Sequence, residues 1–396
     1  MRLYSLAGAE LARLQAEMRS FNVSEAGIEH MAPKGIWIVF KVTGLANAAA
    51  LILKQEFLSK GGEAALNQDA VLGAKHEQQA LLFATAAQYR QICLKLQAQP
   101  FGLAALAQEL LAAINAAEGN ITSIPYHARY LKGELDFSRP LIMGIANITP
   151  DSFYDGGLYN TKPAAMQHIW AMAEAGADII DIGGASSRPA YTPLSAEEEQ
   201  SRLLPLLREL APQLQTPISV DTDKAEVAEA ALAAGAAIIN DTSGLSEDML
   251  HLAAQNRLPF VIMHKGGGGF AIVEKVADFF HESLARCEAA GIKRERIILD
   301  PGFGFAKDTQ ENLVLLRHLP DLRLFKRPLL VGLSNKRFIG AAAKAELNER
   351  EPANIAAFCW AMAHGAHIIR THDPKSLSQA ARMIKAIMEY GADIAT

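Results

Sequence analysis

Polar side chains that can bind ligands follow eight short apolar runs in the last two-thirds of this sequence. In LIMGIANITPDSF, residues 141–153, the apolar run stops at Asn147 and is followed by Thr149, Pro150 and Asp151. One polar residue at a strand end often serves only to form a turn. All eight runs stop in this way, at Asn147, Asp181, Asp221, Asn240–Asp241, His264, Asp300, Ser334–Asn335–Lys336 and Arg370–Thr371–His372–Asp373. So many carboxylates, amides and cationic groups at equivalent positions predict one binding site.

Three of these residues offer acceptors to a flat heterocycle. Asp221, Asn240 and Asp300 carry side-chain oxygens, and a carboxylate accepts two parallel N–H donors from one partner. The edge of a 2-amino-4-oxo-pyrimidine ring presents two such donors. These residue types therefore fit a ring of that kind.

Four other residues suit an anion. Lys336 and Arg370 are positively charged, His372 can donate a hydrogen bond, and Asn147 adds an amide oxygen. Such a set fits a phosphate or a diphosphate bridged by Mg²⁺. Acceptors and cations together predict a pocket for a heterocycle that carries a diphosphate.

The elements that must carry these residues alternate between helix and strand. A helix end, a glycine, a β-rich run and a polar cluster recur in AEAGADIIDI (173–182), ALAAGAAIINDT (231–242) and AMAHGAHIIRTHD (361–373). The same pattern predicts eight strands, at 141–147, 179–183, 217–221, 237–241, 260–264, 297–300, 329–334 and 367–371. Short, uniformly apolar strands separated by amphipathic helices indicate an α/β fold, a TIM-type (β/α)8 barrel.

An open, doubly wound sheet is the alternative architecture. It normally has fewer strands and a glycine-rich first turn, and the GxGxxG pattern is absent after the first strand here. In a barrel, the C-terminal ends of all eight strands meet at one mouth, where barrel enzymes place their chemistry. The barrel therefore explains why all eight runs end in polar residues.

Residues 1–120 follow a different pattern. Strands are predicted at 37–42 and 80–86, and helices at 5–20, 45–59, 87–98 and 103–117. This pattern indicates an additional small N-terminal α/β domain, in which no set of catalytic residues is evident. Residues 121–139 are predicted to be a linker, and 140–396 the barrel.

Composition limits the classes of function. The 396 residues suit two domains, and a net charge of −5 gives no reason to expect nucleic acid or an anionic membrane as partner. The three cysteines form no zinc or disulfide pattern. The N-terminus lacks the apolar run of a signal peptide, and no membrane-spanning stretch is present. We therefore expect a soluble, cytoplasmic protein that binds neither nucleic acid nor a membrane.

The motifs at the strand ends resemble those of the dihydropteroate synthase family. The resemblance covers roughly 140–392 and does not extend to 1–120. The matching motifs occur in the family's order: MGIANITPDSFYDGG (143–157), DIIDIGGASSRP (178–189), ISVDTDKAEVAEAAL (218–232), AIINDTSGL (237–245), VIMHKGG (261–267), IILDPGFGFAKDTQENLVLLRHL (297–319), LVGLSNKRFIG (330–340) and IIRTHDPKS (368–376).

This resemblance implies a (β/α)8 barrel and a transferase of folate biosynthesis. The family joins p-aminobenzoate to 6-hydroxymethyl-7,8-dihydropterin diphosphate and releases pyrophosphate. It also implies a homodimer, and a Mg²⁺ cofactor that Asn147 holds together with the diphosphate.

The resemblance implies a role for each matching residue. Asp221, Asn240, Asp300 and Lys336 would bind the pterin, and Met263 would pack against its flat face. The diphosphate would be held by Arg370 and His372, beside Asn147. The p-aminobenzoate site would be covered by a first loop, from Thr149 to Gly157, and a second loop containing Ser187 and Arg188. The expected catalytic residues are Asn147, Lys336, Arg370 and His372.

Some positions depart from the family pattern. The second-strand motif GGESTRP has Ala185 for Glu and Ser187 for Thr, and the seventh-strand motif SRKS has Asn335 and Arg337 beside the retained Lys336. These changes bear on p-aminobenzoate binding and sulfonamide sensitivity more than on pterin binding. The glycine run 266–269 is either a phosphate cradle or, as we expect, a flexible loop.

Two other functions fit a pterin pocket. One is a methyltransferase that passes a methyl group from methyltetrahydrofolate to a corrinoid protein. It would not need the anion-binding residues Asn147, Arg370 and His372. The other is a non-catalytic pterin-binding protein, for which the altered second loop is the supporting feature.

Overall fold

The computed structural model describes residues 11–73, 77–115, 121–148, 162–184 and 194–393. The chain divides into two compact units, one formed by Met1–Asn120 with Ile387–Thr396 and the other by Ile121–Ala386. The described strands are β1 (Ile38–Leu45), β2 (Glu63–Leu66), β3 (Gln78–Ala84), β4 (Ser123–His127), β5 (Lys132–Asp136), β6 (Leu141–Asn147), β7 (Ile179–Gly183), β8 (Ile218–Thr222), β9 (Ile238–Asp241), β10 (Phe260–Met263), β11 (Ile297–Asp300), β12 (Leu330–Val331) and β13 (Ile368–Thr371). The described α-helices are α1 (Leu11–Ser20), α2 (Glu25–Met31), α3 (Asn47–Ser59), α4 (Ala86–Leu96), α5 (Leu103–Asn115), α6 (Lys162–Glu174), α7 (Ala196–Leu210), α8 (Ala225–Ala234), α9 (Glu247–Gln255), α10 (Ile272–Ala289), α11 (Thr309–Arg317), α12 (Arg337–Ala343), α13 (Glu351–Ala363) and α14 (Pro374–Asp393).

The second unit is the predicted TIM barrel. Strands β6 to β13 form one eight-stranded parallel sheet in the order β11-β10-β9-β8-β7-β6-β13-β12. A parallel bridge between Leu299 and Leu329 joins the two end strands and closes the sheet. Helices lie between successive strands and pack against the outer face of the barrel, and nearly every strand residue is buried.

The barrel helices begin where the sequence provides caps. At the start of α7, Ser195 accepts from the amide of Glu198, whose side chain accepts in return from the amide of Ser195. Asp308 and Glu311 form the same reciprocal pair at the start of α11. Such pairs satisfy helix donors that have no partner within the helix. They therefore determine where each helix begins relative to the strand end before it.

A β-hairpin made by β4 and β5 closes the N-terminal end of the barrel. Its apolar side chains Ile124, Tyr126 and Leu135 are buried against inward-facing residues at the beginnings of the barrel strands, including Met143 and Ile298. Residues 121–139, predicted as a linker, therefore contain regular structure. The stretch has few β-branched residues, so its strand signal is weak.

The first unit contains a three-stranded antiparallel sheet in the order β1-β3-β2. Helices α3, α4 and α5 contribute buried residues to one core with the sheet, around Leu53, Phe57 and Leu82. Tyr89 lies at the centre of this core, with its hydroxyl donating to the carbonyl of Leu82 at 2.8 Å. The alanine-rich strand β2 was not predicted, because alanine is a weak signal for strand structure.

Most predicted barrel strands lie within one or two residues of those observed. The seventh is shorter, since the prediction covered 329–334 and β12 ends at Val331. Gly332 follows, and the chain then turns, as the positive φ of 60° at Asn335 shows. Among the described residues, no helix has the length and apolar character needed to span a bilayer.

Candidate active site

The C-terminal ends of the barrel strands lie side by side because the strands are parallel and paired in register. Asp221 at the end of β8 pairs with Gly183 of β7 on one side and with Asn240 of β9 on the other. Met263 and Asp300 pair in the same way at the ends of β10 and β11. The predicted acceptors therefore occupy neighbouring positions at one mouth of the barrel.

Arg370, on β13, makes two ion pairs at this mouth. Its Nε donates to Oδ2 of Asp181 at 2.6 Å, and its Nη2 donates to Oδ2 of Asp221 at 2.5 Å. Burial alone would lower the pKa of Arg370, but the two carboxylates outweigh that effect and raise this pKa above its ordinary value. Arg370 therefore stays charged. Its guanidinium is held by carboxylates of β7 and β8, which lie on the other side of β6 from β13.

Asp181 is a member of the site to which the sequence analysis assigned no role. It is fully buried on β7, and its Oδ2 also accepts from Nδ2 of Asn240 at 3.1 Å. Oδ1 of Asp181 and Oδ1 of Asn240 are both buried and have no hydrogen-bond partner among the described residues. The available signal was a carboxylate within an otherwise apolar run, because Asp181 lies two residues before the end of β7.

Burial changes the acidity of the two other carboxylates. The pKa of Asp300 is raised to about 6 by burial, although the amide of Gly302, which donates to Oδ1 at 2.7 Å, opposes the rise. Burial also raises the pKa of Asp221, and the charge of Asp181 adds to the rise while Arg370 opposes it. These carboxylates are costly to keep ionised without a ligand that donates to them.

Lys336 brings a cation to the same mouth. Its Nζ lies 4.4 Å from the centre of the Phe305 ring, and its charge lowers the pKa of Asp300. Burial and the neighbouring Arg370 lower the pKa of Lys336 to about 8. Gly304 has a φ of 76°, which favours glycine, and a Cβ atom there would lie 2.7 Å from Cδ of Lys336.

Asn147 and His372 lie at the ends of adjoining strands. A Cβ atom on Gly183 would lie 3.3 Å from Oδ1 of Asn147 and 3.5 Å from Cβ of Asp221, so Asn147 borders the carboxylate group. Nδ1 of His372 lies 2.9 Å from Oγ of Ser334. In the described part of the chain, no group of three or more His, Cys, Asp and Glu residues is placed to hold a metal ion.

Asn335 contributes to the framework of the barrel mouth. Its Oδ1 accepts from Nδ2 of Asn354 at 2.7 Å, and its amide donates to Oδ1 of the same residue at 3.1 Å. Arg350 also donates to the carbonyl of Asn335. This departure from the family motif therefore has a packing partner in this chain.

The glycine run 266–269 is held by a carboxylate. The amides of Gly268 and Gly269 donate to Oε1 of Glu311 at 2.7 and 2.6 Å. These two donors are consequently occupied and do not form a phosphate cradle, and the loop is anchored to α11 rather than loose. Composition alone could not show this, because the acceptor lies more than 40 residues away in the sequence.

Several predicted features lie outside the described residues. They are Ser187 and Arg188 of the second loop, the substituted Ala185, and the first loop from Thr149 to Gly157. Their expected roles at the p-aminobenzoate site stay predictions. Met263 is buried beside Asp300, as a residue that packs against a ring would be.

Comparison with known proteins agrees with this arrangement. The family model described as pterin binding enzyme matches residues 143–372. The chain is 43% identical to a dihydropteroate synthase of Escherichia coli over 264 residues, which cover 64% of this chain and 94% of that protein. It is 34% identical over 374 residues, 91% of this chain and 93% of the other, to a Helicobacter pylori protein named bifunctional dihydropteroate synthase/dihydropteroate reductase.

A solved structure extends the comparison to three dimensions. The dihydropteroate synthase of Xanthomonas albilineans, determined with 4-aminobenzoic acid, is 41% identical and superposes with a TM-score of 0.63. The superposition covers 67% of this chain and 99% of that one. The likeness therefore concerns the barrel.

Proposed function

This chain belongs to the dihydropteroate synthase family of pterin-binding enzymes, and we infer that it condenses 6-hydroxymethyl-7,8-dihydropterin diphosphate with p-aminobenzoate and releases pyrophosphate. The observation that carries this inference is the identity of 43% to the Escherichia coli enzyme over 94% of that enzyme's length. The pairing of buried acceptors and cations at the mouth of the barrel supports it.

The acceptors fit the pterin ring. Asp300 and Asp221 present carboxylates, and Asn240 presents a buried amide oxygen that has no partner among the described residues. The 2-amino-4-oxo edge of a pterin supplies the N–H donors that such groups need. Met263, which is buried beside Asp300, would contact the flat face of the ring, and Lys336 would add a donor.

The cations fit the departing diphosphate. We propose that the bond between the pterin methylene carbon and the diphosphate oxygen breaks with its electron pair on the oxygen. The amine of p-aminobenzoate then attacks the carbon, its nitrogen loses a proton to water, and pyrophosphate leaves. Arg370, His372 and Lys336 stabilise the charge that grows on the leaving group, which matters more here than a strong general base.

Magnesium is the cofactor that the family implies, and the residues fit an ion that arrives with its substrate. Mg²⁺ commonly takes one or two protein oxygens and completes its shell with phosphate oxygens and water. Asn147 offers one such oxygen at the end of β6, beside Gly183. When bound, the ion would neutralise part of the diphosphate charge. Removal of Mg²⁺ with a chelator should stop pyrophosphate release while leaving pterin binding measurable.

One assay tests the proposed reaction against its two rivals. The full chain is mixed with Mg²⁺, the dihydropterin diphosphate and p-aminobenzoate, and released pyrophosphate is measured. Release that depends on p-aminobenzoate supports the synthase. Intact pterin binding without release would instead indicate a methyltransferase or a non-catalytic binding protein.

A second activity is suggested by one of the relatives. The alignment with the Helicobacter pylori protein is longer than the stretch from Ile121 to the end of this chain, so it includes N-terminal residues. We propose that this chain also reduces dihydropteroate, with a reduced flavin or nicotinamide giving a hydride to the ring C=N bond and water giving the proton. Reduction no faster than in an enzyme-free control would exclude it.

The assembly and location are proposals as well. We propose a homodimer, as the family resemblance implies, and light scattering of the purified chain at the concentration used for assays tests it. A mass of one chain would contradict the dimer. A cytoplasmic location is also proposed, and cell fractionation tests it.

A further inference from the structure

We propose that Asp181 is a positioning residue, which holds Arg370 and Asn240 in the orientations needed to bind the pterin diphosphate. The proposal rests on the function inferred above, because it concerns the same pocket. Asp181 is fully buried, and one of its oxygens joins residues of three separate strands.

The first step of the argument concerns which end of Asn240 faces a ligand. A carboxylate oxygen accepts hydrogen bonds, so the contact of 3.1 Å with Oδ2 of Asp181 must be made by Nδ2 of Asn240. Oδ1 of Asn240 is therefore directed elsewhere, and it is buried without a partner among the described residues. An acceptor left in this state is costly until a donor arrives. Asp181 thus presents Asn240 to the pocket as an acceptor.

The second step concerns the plane of Arg370. Its Nε is bound to Asp181 and its Nη2 to Asp221, at 2.6 and 2.5 Å. A planar guanidinium held through two nitrogens by carboxylates on two strands has little freedom to rotate. If Asp221 turns to a pterin donor, Asp181 still keeps Arg370 at the mouth of the barrel.

The third step is that the same oxygen serves both neighbours. Oδ2 of Asp181 accepts from Arg370 and from Asn240 at once, although these residues are 189 and 59 positions away in the sequence. Loss of its charge therefore disturbs the acceptor side and the cationic side of the pocket together. We therefore expect the loss of this charge to weaken the binding of the pterin more than the binding of p-aminobenzoate.

The test uses Asp181→Asn, which keeps the size of the side chain and removes its charge. Hydrogen bonds to charged groups suggest that pterin affinity, measured by calorimetry on the full chain, falls about 10- to 100-fold. The KM for p-aminobenzoate should change by less than about threefold, because the lost contacts belong to the pterin site and distant sites respond nearly independently. Affinity equal to that of the unaltered chain would overturn the proposal.

Asp178, at the other end of β7, provides a matched control. Asp178 also pairs with an arginine, because Nη1 and Nη2 of Arg139 donate to it at 2.9 and 2.5 Å, but it lies immediately before β7. Asp178→Asn should leave pterin affinity unchanged. An equal loss in both variants would mean that Asp181 acts through general stability, and would also overturn the proposal.

A double variant separates positioning from direct contact with the ligand. If Asp181 acts largely through Asn240, the substitution Asp181→Asn should weaken binding less in an Asn240→Ala background than in the unaltered chain. Losses that are fully additive both in this background and in an Arg370→Lys background would show that Asp181 acts through neither neighbour and would contradict the positioning role.

Folding and function are checked independently. Melting temperatures establish that each variant is folded. The variant Arg370→Lys tests the same ion pair from its other partner. It keeps the charge but loses the Nε contact, so it should also weaken pterin binding. Pyrophosphate release by the unaltered chain tests the proposed function alone. If the unaltered chain releases pyrophosphate but Asp181→Asn leaves pterin affinity unchanged, the positioning role is rejected and the synthase function is retained.

Discussion

The two ends of the barrel use the same eight strands for opposite purposes. At the N-terminal end, residues such as Met143, Ile179 and Ile298 are buried against the hairpin formed by β4 and β5. Two residues further along two of these strands, the inward positions carry Asp181 and Asp300. The period of two along a strand keeps both kinds of residue on the inner face. One end of each strand therefore stabilises the fold and the other binds ligands.

Two Asp–Arg pairs make the difference concrete. Arg139 and Asp178, at the N-terminal end, keep 42% and 20% of their side-chain surface exposed, while Arg370 and Asp181, at the other end, keep 15% and 0%. Solvent screens the first pair, so it contributes little to the free energy of unfolding. A buried pair is expensive to desolvate and is weak evidence for stability. Its value at the mouth lies in placing Arg370.

The largest expected effect is a loss of pterin affinity at the C-terminal end of the barrel. Asp300→Ala should weaken pterin binding by about 2–5 kcal/mol, because truncating a buried charged acceptor leaves the ligand donors without a partner. Calorimetry with the pterin substrate measures the loss. Asp223→Ala is the control, since Asp223 is half exposed and pairs with Lys224 beyond the strand end. Unchanged affinity in Asp300→Ala would contradict the pterin site.

The next effect concerns the N-terminal end. Leu135→Ala should lower the free energy of unfolding by about 2–5 kcal/mol, because Leu135 is 3% exposed and its removal leaves a cavity under the barrel. Urea denaturation measures this, and turnover per folded molecule should be unchanged. The same substitution at Leu313, which is 43% exposed, should cost less than about 0.5 kcal/mol. A loss of turnover without a loss of stability would show that the two ends are not separate.

The smallest effect is a pH dependence that has opposite signs for binding and for folding. The pKa of Asp300 is about 6 in the folded chain, above its ordinary value, so the folded state binds this proton more readily than the unfolded state. The free energy of unfolding should therefore rise by about 1 kcal/mol from pH 7 to 5 through this group, while pterin affinity falls. Stability measured in Asp300→Asn should lack this contribution. If the free energy of unfolding of the variant depends on pH in the same way as that of the unaltered chain, the effect belongs to another group.

Local sequence patterns were sufficient for much of the barrel. The strands Leu141–Asn147, Ile179–Gly183 and Ile297–Asp300 were predicted with the bounds that the structure shows. Uniformly apolar runs followed by polar residues are strong signals, because burial on both faces leaves no choice of residue. The short strand β2 and the hairpin of β4 and β5 were not predicted, because their residues carry little β propensity and their burial depends on distant partners.

The site was predicted in part for the same reason. Asp221, Asn240 and Asp300 could be recognised as acceptors at strand ends, since a parallel barrel places such ends together. The anchoring of the glycine run by Glu311 could not be predicted, because glycine composition is compatible with either a loose or a tethered loop. Nor could Asp181 be distinguished from the other polar strand ends.

Taken alone, the amino-acid sequence determined the eight strands, the polar character of their ends and the membership of the family. Each of these properties is encoded in short, contiguous stretches. The tertiary structure alone decided which atoms meet: Oδ2 of Asp181 with Arg370 and Asn240, and Oδ1 of Asn240 with no partner among the described residues. Closure of the barrel brings residues 59 and 189 positions apart within hydrogen-bonding distance, and no local pattern specifies which oxygen then faces which donor.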